Sequence, residues 1–84
     1  MQNIEEKIKD FVGKYVVITQ GGFLESKYYI KKLNYFIKDE ILNITDEESD
    51  NYVKINLNQI YKIENKENGI KLFLDNDTTL FLYV

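Results

Sequence analysis

The stretch that decides the fold is Tyr52–Leu57, YVKINL, in which apolar side chains alternate with polar or tyrosine side chains. This period of two places Val53, Ile55 and Leu57 on one face of a β-strand and the other three side chains on the opposite face. A strand with one apolar face is typical of an antiparallel sheet that covers a core on one side. We therefore expect neighbouring parts of the chain to supply further antiparallel strands.

Turn signals divide the second half of the chain into a meander. They are the acidic run at 46–51, which we expect to be a solvated loop, the kink Asn58-Gln59, the strong turn signal Asn68-Gly69, and Asp75-Asn76-Asp77. The strands predicted between these signals span residues 41–45, 52–57, 60–64, 70–74 and 78–84.

The first half begins with a helical pattern and continues as strands. Apolar residues from Ile4 to Val12 recur at helical spacing, which predicts an amphipathic helix over 3–12 with Asn3 and Glu6 as a cap pair and Gly13 as its stop. Ten residues are marginal as an isolated helix, so the apolar stripe must dock on the rest of the domain.

Two strands are predicted after the helix. One covers 14–20 and ends at a turn over 21–26, and a long one covers 27–38 and ends at a tight turn, Lys38-Asp39-Glu40. Its alternation fails at Tyr35-Phe36-Ile37, where we expect a bulge or bend. A bent strand is a common way to close a small barrel.

The stretch Thr78–Val84 carries no charge and is apolar on both faces. Such a strand would aggregate as an exposed edge. It either lies inside the sheet, with the N-terminal helix covering one face, or pairs with another copy of the chain. The candidate interface residues in the second case are Leu80, Phe81, Leu82 and Tyr83.

These patterns predict a mainly β fold. A short N-terminal helix precedes a small, strongly bent antiparallel sheet or barrel, and residues 1–84 form a single domain with the helix at 3–12 and antiparallel strands over 14–84. The length of 84 residues leaves no room for a second core.

The amino-acid composition limits the classes of function that we expect. The absence of His and Cys removes most nucleophile, general-base and zinc arrangements, so we expect no enzyme, no metal site and no cofactor. The net charge of −3 and the absence of Arg disfavour nucleic acid as a partner. Acidic residues near the N-terminus and the lack of a long apolar run predict a cytoplasmic protein. Enrichment in Lys, Asn, Ile and Tyr is typical of an AT-rich bacterial, phage or plasmid genome.

Seven tyrosines are the most distinctive feature of the composition. Three of them, Tyr28, Tyr29 and Tyr35, cluster with Lys31 on the predicted strand at 27–38. Tyrosine in a strand most often fills a half-buried position with its hydroxyl at the surface. The functional alternative is an interface anchor or a stacking platform, for which we rank a protein partner ahead of single-stranded nucleic acid.

Two short patterns resemble motifs of the Sm-like family. The stretch Asp39–Ile44, DEILNI, is similar to the first Sm motif, in which an aspartate precedes an apolar residue, an asparagine and another apolar residue. The stretch Ile55–Ile63, INLNQIYKI, has the apolar spacing of the second motif. Together with the element order, the resemblance covers about residues 3–64.

The resemblance implies a small barrel related in shape to SH3 domains, which assembles into rings and binds RNA. In the family the aspartate and asparagine of the first motif line the RNA site, so it implies this role for Asp39 and Asn43. Asn56 and Leu57 stand where the second motif has arginine and glycine.

Three functions are therefore expected, in this order. The first is a non-enzymatic binding module that acts through protein–protein contacts and can self-assemble. The second is an Sm-like ring that binds single-stranded RNA through Asp39, Asn43 and stacked tyrosines. The third is an acidic phage or plasmid inhibitor that occupies a nucleic-acid-binding site on a host protein.

Overall fold

The structure, a computed structural model, describes residues 4–22 and 25–84. It confirms the mainly β prediction, with one short helix and two antiparallel sheets. Short 3-10 turns follow the helix at Lys9–Phe11 and join two strands at Leu57–Gln59. The other elements are α1 Ile4–Ile8, β1 Val16–Gly21, β2 Ser26–Ile30, β3 Leu33–Lys38, β4 Ile41–Asp46, β5 Tyr52–Asn56, β6 Ile60–Lys66, β7 Gly69–Leu74 and β8 Thr79–Tyr83.

Two segments of the chain pass from one sheet to the other. The five-stranded sheet has the order β2-β1-β8-β7-β6, and the three-stranded sheet has the order β3-β4-β5. The chain crosses between them at Lys31–Lys32, between β2 and β3, and at the 3-10 turn between β5 and β6. The strands do not close into a barrel, and the predicted single bent sheet is instead two antiparallel sheets.

The uncharged strand β8 lies inside the five-stranded sheet, between β1 and β7. Leu80 and Leu82 point into the core, with exposed fractions of 5% and 0%. The predicted position inside the sheet is therefore confirmed, and it is compatible with the second arrangement, pairing with another copy. Its backbone is paired on both sides, which removes the aggregation hazard of an exposed apolar edge.

The N-terminal helix is shorter than predicted but buries the predicted side chains. Ile4, Ile8 and Phe11 belong to one apolar cluster with residues of both sheets. Val12 was expected on the same face but is exposed, because the chain leaves the helix there and turns at Gly13, whose φ is +81°. The proposed cap residue Asn3 lies outside the described residues.

The bend in the long predicted strand lies at Lys31–Lys32 rather than at Tyr35–Ile37. It is held by Asp46, the last residue of β4. One carboxylate oxygen accepts the Lys31 N–H at 2.9 Å and the Ser49 hydroxyl at 2.7 Å. The other accepts the Lys32 N–H at 3.1 Å and the Glu48 N–H at 2.9 Å. The Lys31 and Lys32 donors thus fix the chain where it changes sheets, and the Glu48 and Ser49 donors hold the carboxylate in place.

The prediction that residues 46–51 form a solvated loop is wrong for the first of them, Asp46. Asp46 is only 6% exposed, whereas residues 47–51 are exposed. Burial alone would raise the pKa of this carboxyl, but the N–H groups of Lys31 and Glu48, the Ser49 hydroxyl and the Lys32 N–H hold its pKa well below its usual range. The carboxylate is therefore charged in the folded protein at any ordinary pH.

The β6–β7 hairpin turns at Glu67–Asn68, one residue before the predicted Asn68-Gly69 turn. Gly69 is the first residue of β7, and its φ is not positive. Glycine is needed there because a Cβ would overlap the carbonyl oxygen of Leu82 on the neighbouring strand.

We expect Gly69→Ala to lower the free energy of unfolding by roughly 1–3 kcal/mol, because backbone must move to admit the methyl group. Gly21→Ala is the matched control, since its Cβ would lie 3.1 Å from the Thr79 hydroxyl, a side-chain atom that can rotate away. Urea unfolding measures both. Equal stability of the two variants would contradict the close approach at Gly69.

We expect Asp46→Asn to unfold at a clearly lower urea concentration than the wild type at pH 7. An amide has one oxygen, so two of the four donors lose their acceptor. The matched control is Asp50→Asn, which changes an exposed acid of the same loop.

The same pair of variants tests the pKa of Asp46. Its folded-state pKa lies below the unfolded value of about 4, so its contribution is complete above pH 4 and is lost as the pH falls below that value. Between pH 5 and pH 2 the unfolding free energy should decline less steeply for Asp46→Asn than for Asp50→Asn. Parallel declines would refute the assigned role.

Candidate functional site

Exposed aromatic side chains gather where the two sheets separate. Three adjoining depressions of about 320, 360 and 360 Å³ are all lined in part by Tyr52, at the start of β5. Tyr28 lines two of them and Tyr29 lines one. We call the region around Tyr28, Tyr29 and Tyr52 the tyrosine cleft.

The cleft follows from the alternation of side chains in two strands. In β2, Ile30 is buried, and Tyr28 shares its face two residues earlier but is 38% exposed. In β5, Ile55 is buried and Tyr52 lies on the opposite face, where it is 64% exposed. The ammonium group of Lys54 lies 5.8 Å from the centre of the Tyr52 ring. This distance is within reach of a cation–π interaction.

A side chain joins the two walls of the cleft. The Asn51 side-chain amide donates to the Tyr29 carbonyl at 3.2 Å. Asn51 is itself held by its own N–H, which donates to the Ser49 hydroxyl at 3.2 Å. The segment at 50–52 therefore lies along the edge of β2.

Main-chain hydrogen bonds reveal which groups of β2 face that edge. Such bonds alternate along an antiparallel strand, so one pair of strands fixes the direction of every group in the sheet. The Leu74 N–H donates to the Thr78 carbonyl at 2.9 Å, and the Val84 N–H donates to the Asn68 carbonyl at 3.1 Å. Even-numbered residues of β8 therefore bond to β7, and odd-numbered residues bond to β1.

The same alternation continues across β1 to β2. Because odd-numbered residues of β1 bond to β8, its even-numbered residues bond to the even-numbered residues of β2. The N–H and C=O groups of Lys27 and Tyr29 consequently lie at the free edge of the sheet. They point away from β1, toward the cleft. The bond from Asn51 agrees, since a donor outside the sheet reaches the Tyr29 carbonyl.

The predicted binding residues of the long strand are divided between two places. Tyr28 and Tyr29 line the cleft, whereas Lys31 is exposed at the bend and its N–H is bound to Asp46. Tyr35 lies beside the helix, where its hydroxyl donates to Glu5 at 3.3 Å. Partial burial and the Glu5 carboxylate raise the pKa of Tyr35 above its ordinary value.

Asp39 and Asn43, which the Sm-like resemblance implies for RNA, lie in different settings. Asp39 is exposed in the β3–β4 turn with a φ of +52°. Asn43 is 8% exposed on β4, in register between Phe36 and Lys54, and its amide donates to the Ile41 carbonyl at 3.1 Å. Of the two, only Asn43 lines one of the three depressions that contain Tyr52.

Sequence reasoning missed Tyr52, Phe36 and Lys54 as site residues. All three line the depression that also contains Asn43, and Phe36 is 53% exposed. A signal was present, because Tyr52 and Lys54 occupy the polar face of the cleanest alternating strand and so had to be exposed. The closeness of Tyr52 and Lys54 to Tyr28 depends on the bend, which no local pattern indicates.

The outer face of the five-stranded sheet holds the remaining candidates, Phe81 and Tyr83. Both are half-buried, and their ring centres lie 4.8 Å apart. On the same face Glu64 forms ion pairs with Lys66 at 3.1 Å and with Lys62 at 3.2 Å. These two ammonium groups lower the pKa of Glu64. The face is thus apolar in the centre and largely charge-paired along β6.

The chain matches no protein-family model, no curated protein and no solved structure. No helix within residues 4–22 and 25–84 combines the length and apolar composition that a membrane span requires. Over the same residues, no cluster of three or more His, Cys, Asp or Glu side chains is arranged to hold a metal ion.

We expect the amide protons of β2 to exchange with solvent in alternation. Lys27 and Tyr29 have N–H groups that face the cleft, and should exchange on the order of 100-fold faster than Tyr28 and Ile30, whose N–H groups bond to β1. Amide exchange followed by NMR measures this, with Phe81 in the central strand β8 as a protected control. Equal protection of all four β2 amides would contradict the inference that the Lys27 and Tyr29 N–H groups face away from β1.

Proposed function

We propose that the protein is a non-enzymatic binding module and that its partner is a protein, which it binds at the tyrosine cleft. The observation that carries this proposal is the concentration of exposed aromatic rings there: Tyr29 is 50% exposed and Tyr52 is 64% exposed, on opposite walls of one opening. Isolated apolar side chains are normal on a surface, but adjoining aromatic ones mark interaction sites.

Tyrosine is well suited to such a contact. Each ring buries a large area for the loss of only two side-chain rotations, and its hydroxyl can still find a hydrogen-bond partner. The cleft also offers hydrogen-bonding groups of the protein backbone and the ammonium groups of Lys27 and Lys54. An aromatic centre with a polar rim has the composition of a protein–protein contact.

Charge supports a protein ahead of a nucleic acid. The acids Glu47, Glu48 and Asp50 are exposed in the loop that leads to Tyr52, and the whole chain has a net charge of −3. Phosphate groups that approached the cleft would meet these carboxylates, and no arginine is present to bind them in bidentate fashion.

Each of the two alternative functions is supported by a separate observation. The in-register row Phe36–Asn43–Lys54 places an aromatic ring, an amide and a cation side by side, which favours an Sm-like contact with a single-stranded RNA base. The exposed acids at 47–50 favour the inhibitor of a nucleic-acid-binding protein. Both are ranked below the tyrosine cleft, which collects more exposed aromatic surface.

We expect Tyr52→Ala and Tyr28→Ala each to weaken partner binding about tenfold or more, because truncation of a central aromatic anchor typically costs over 1 kcal/mol. Tyr61→Ala is the matched control, since Tyr61 is 65% exposed on β6 and does not line the cleft depressions. The immobilised proteins are exposed to nuclease-treated lysate of the source cells, and retained proteins are quantified by mass spectrometry.

A protein retained by the wild type and by Tyr61→Ala, but lost with both cleft variants, would be the supporting result. Retention that all three variants share would exclude the cleft as the binding site. Retention that occurs only in a parallel lysate without nuclease, together with binding of a labelled oligonucleotide at low salt, would favour the RNA alternative.

A further inference from the structure

We propose that the open edge of β2 binds an extended segment of the partner, which pairs with the five-stranded sheet as a sixth strand. This inference rests on the proposed function, because it states how the tyrosine cleft holds its partner. Strand addition obtains its affinity from main-chain hydrogen bonds and its specificity from alternate side chains.

The edge has the required hydrogen-bonding groups. Among the described residues, β2 pairs with β1 alone, and the N–H and C=O groups of Lys27 point out of the sheet. The N–H of Tyr29 points the same way. Outward groups two residues apart are what a neighbouring strand needs, because its own bonding groups repeat with a period of two.

One of these positions already has a substitute for a strand. The Asn51 side-chain amide donates to the Tyr29 carbonyl at 3.2 Å, which is the bond that an N–H of an added strand would form. A peptide N–H can replace that amide without leaving the carbonyl unpaired. The depression of about 360 Å³ between residues 27–30 and residues 50–52 provides room for such a segment along the edge.

Each of the other sheet edges is covered in part. On β3, the Leu33 carbonyl accepts from Gly13 and the Leu33 N–H donates to Lys14, at 2.8 and 3.1 Å. The edge of β6 lies beside the helix, where Lys7 donates to the Asn65 side chain at 2.7 Å. The edge of β5 faces the β7–β8 turn across the depression of about 320 Å³.

The flanking side chains define the segment that would fit. Residues of an added strand alternate between the two faces of the sheet. On one face they would contact Tyr28 and the inside of the cleft, and on the other they would contact Tyr29. The segment should therefore be extended, with apolar or aromatic residues at alternate positions. Residues 50–52 form a wall opposite β2. The space between them therefore favours a single peptide chain over the flat sheet edge of a second copy.

A library of random linear 12-residue peptides, displayed on phage and selected against the full chain, provides the probe. Peptides that bind are synthesised, and their affinities are measured by fluorescence anisotropy. The decisive variant is Lys27→Pro, which removes one outward N–H while every bond between β1 and β2 remains. Lys27→Ala is the matched control, because it removes the same side chain and keeps the N–H.

We expect Lys27→Pro to bind the peptides about tenfold or more weakly than Lys27→Ala, because the two variants lack the same side chain and differ in the outward N–H. N-methylation of the peptide at alternate residues should abolish binding, and N-methylation at the intervening residues should not. This second measurement decides the question if Lys27→Pro does not fold, as judged by circular dichroism. Equal binding to Lys27→Pro and Lys27→Ala, or N-methylation effects without alternation, would overturn strand addition.

The remaining outcomes separate the two proposals. Peptides that lose affinity for Tyr52→Ala but bind Lys27→Pro normally would support the tyrosine cleft and overturn strand addition. Peptides that lose affinity only for Lys27→Pro would support strand addition without the Tyr52 wall. Failure to select any peptide, or self-association of the chain that Lys27→Pro abolishes, would overturn the proposal of a partner segment.

Discussion

The hydrogen bonds of Asp46 to the Lys31–Lys32 backbone are the constraint on which the rest of the structure depends. They hold the point at which one continuous stretch of chain leaves the five-stranded sheet and enters the three-stranded sheet. Beyond this bend, β2 and the start of β5 belong to different sheets and face each other across a gap. The tyrosine cleft is that gap, so the fold and the candidate site have one physical origin.

Local periodicity predicted most of the fold, and tertiary contacts determined what it missed. The strands from Tyr52 onward lie within a few residues of their predicted bounds, since each has a buried face and a turn signal at its end. The predicted position of the bend was wrong, because Asp46, whose hydrogen bonds hold the bend, lies on another strand. The same carboxylate resembled part of a solvated acidic run, and its burial is favourable because two donors from the distant Lys31–Lys32 segment join two donors from its own loop.

The candidate site was predictable in composition but not in arrangement. The enrichment in tyrosine directed attention to Tyr28 and Tyr29, which do line the cleft. Tyr35 was grouped with them because it lies on the same predicted strand, but the bend places it beside the helix. Tyr52 was expected on a polar strand face, and its closeness to Tyr28 follows only from the angle between the sheets.

The central place of β8 also has a consequence for how the domain forms. Val17 pairs with Tyr83, so the five-stranded sheet joins strands from opposite ends of the described chain. The β1–β2 and β6–β7 hairpins can form locally, but they cannot become one sheet until β8 arrives between them. Such a long-range closure has a large entropic cost before its contacts are gained, which slows folding. During synthesis, the edge of β1 stays unpaired until β8, which forms a local hairpin with β7, has been made.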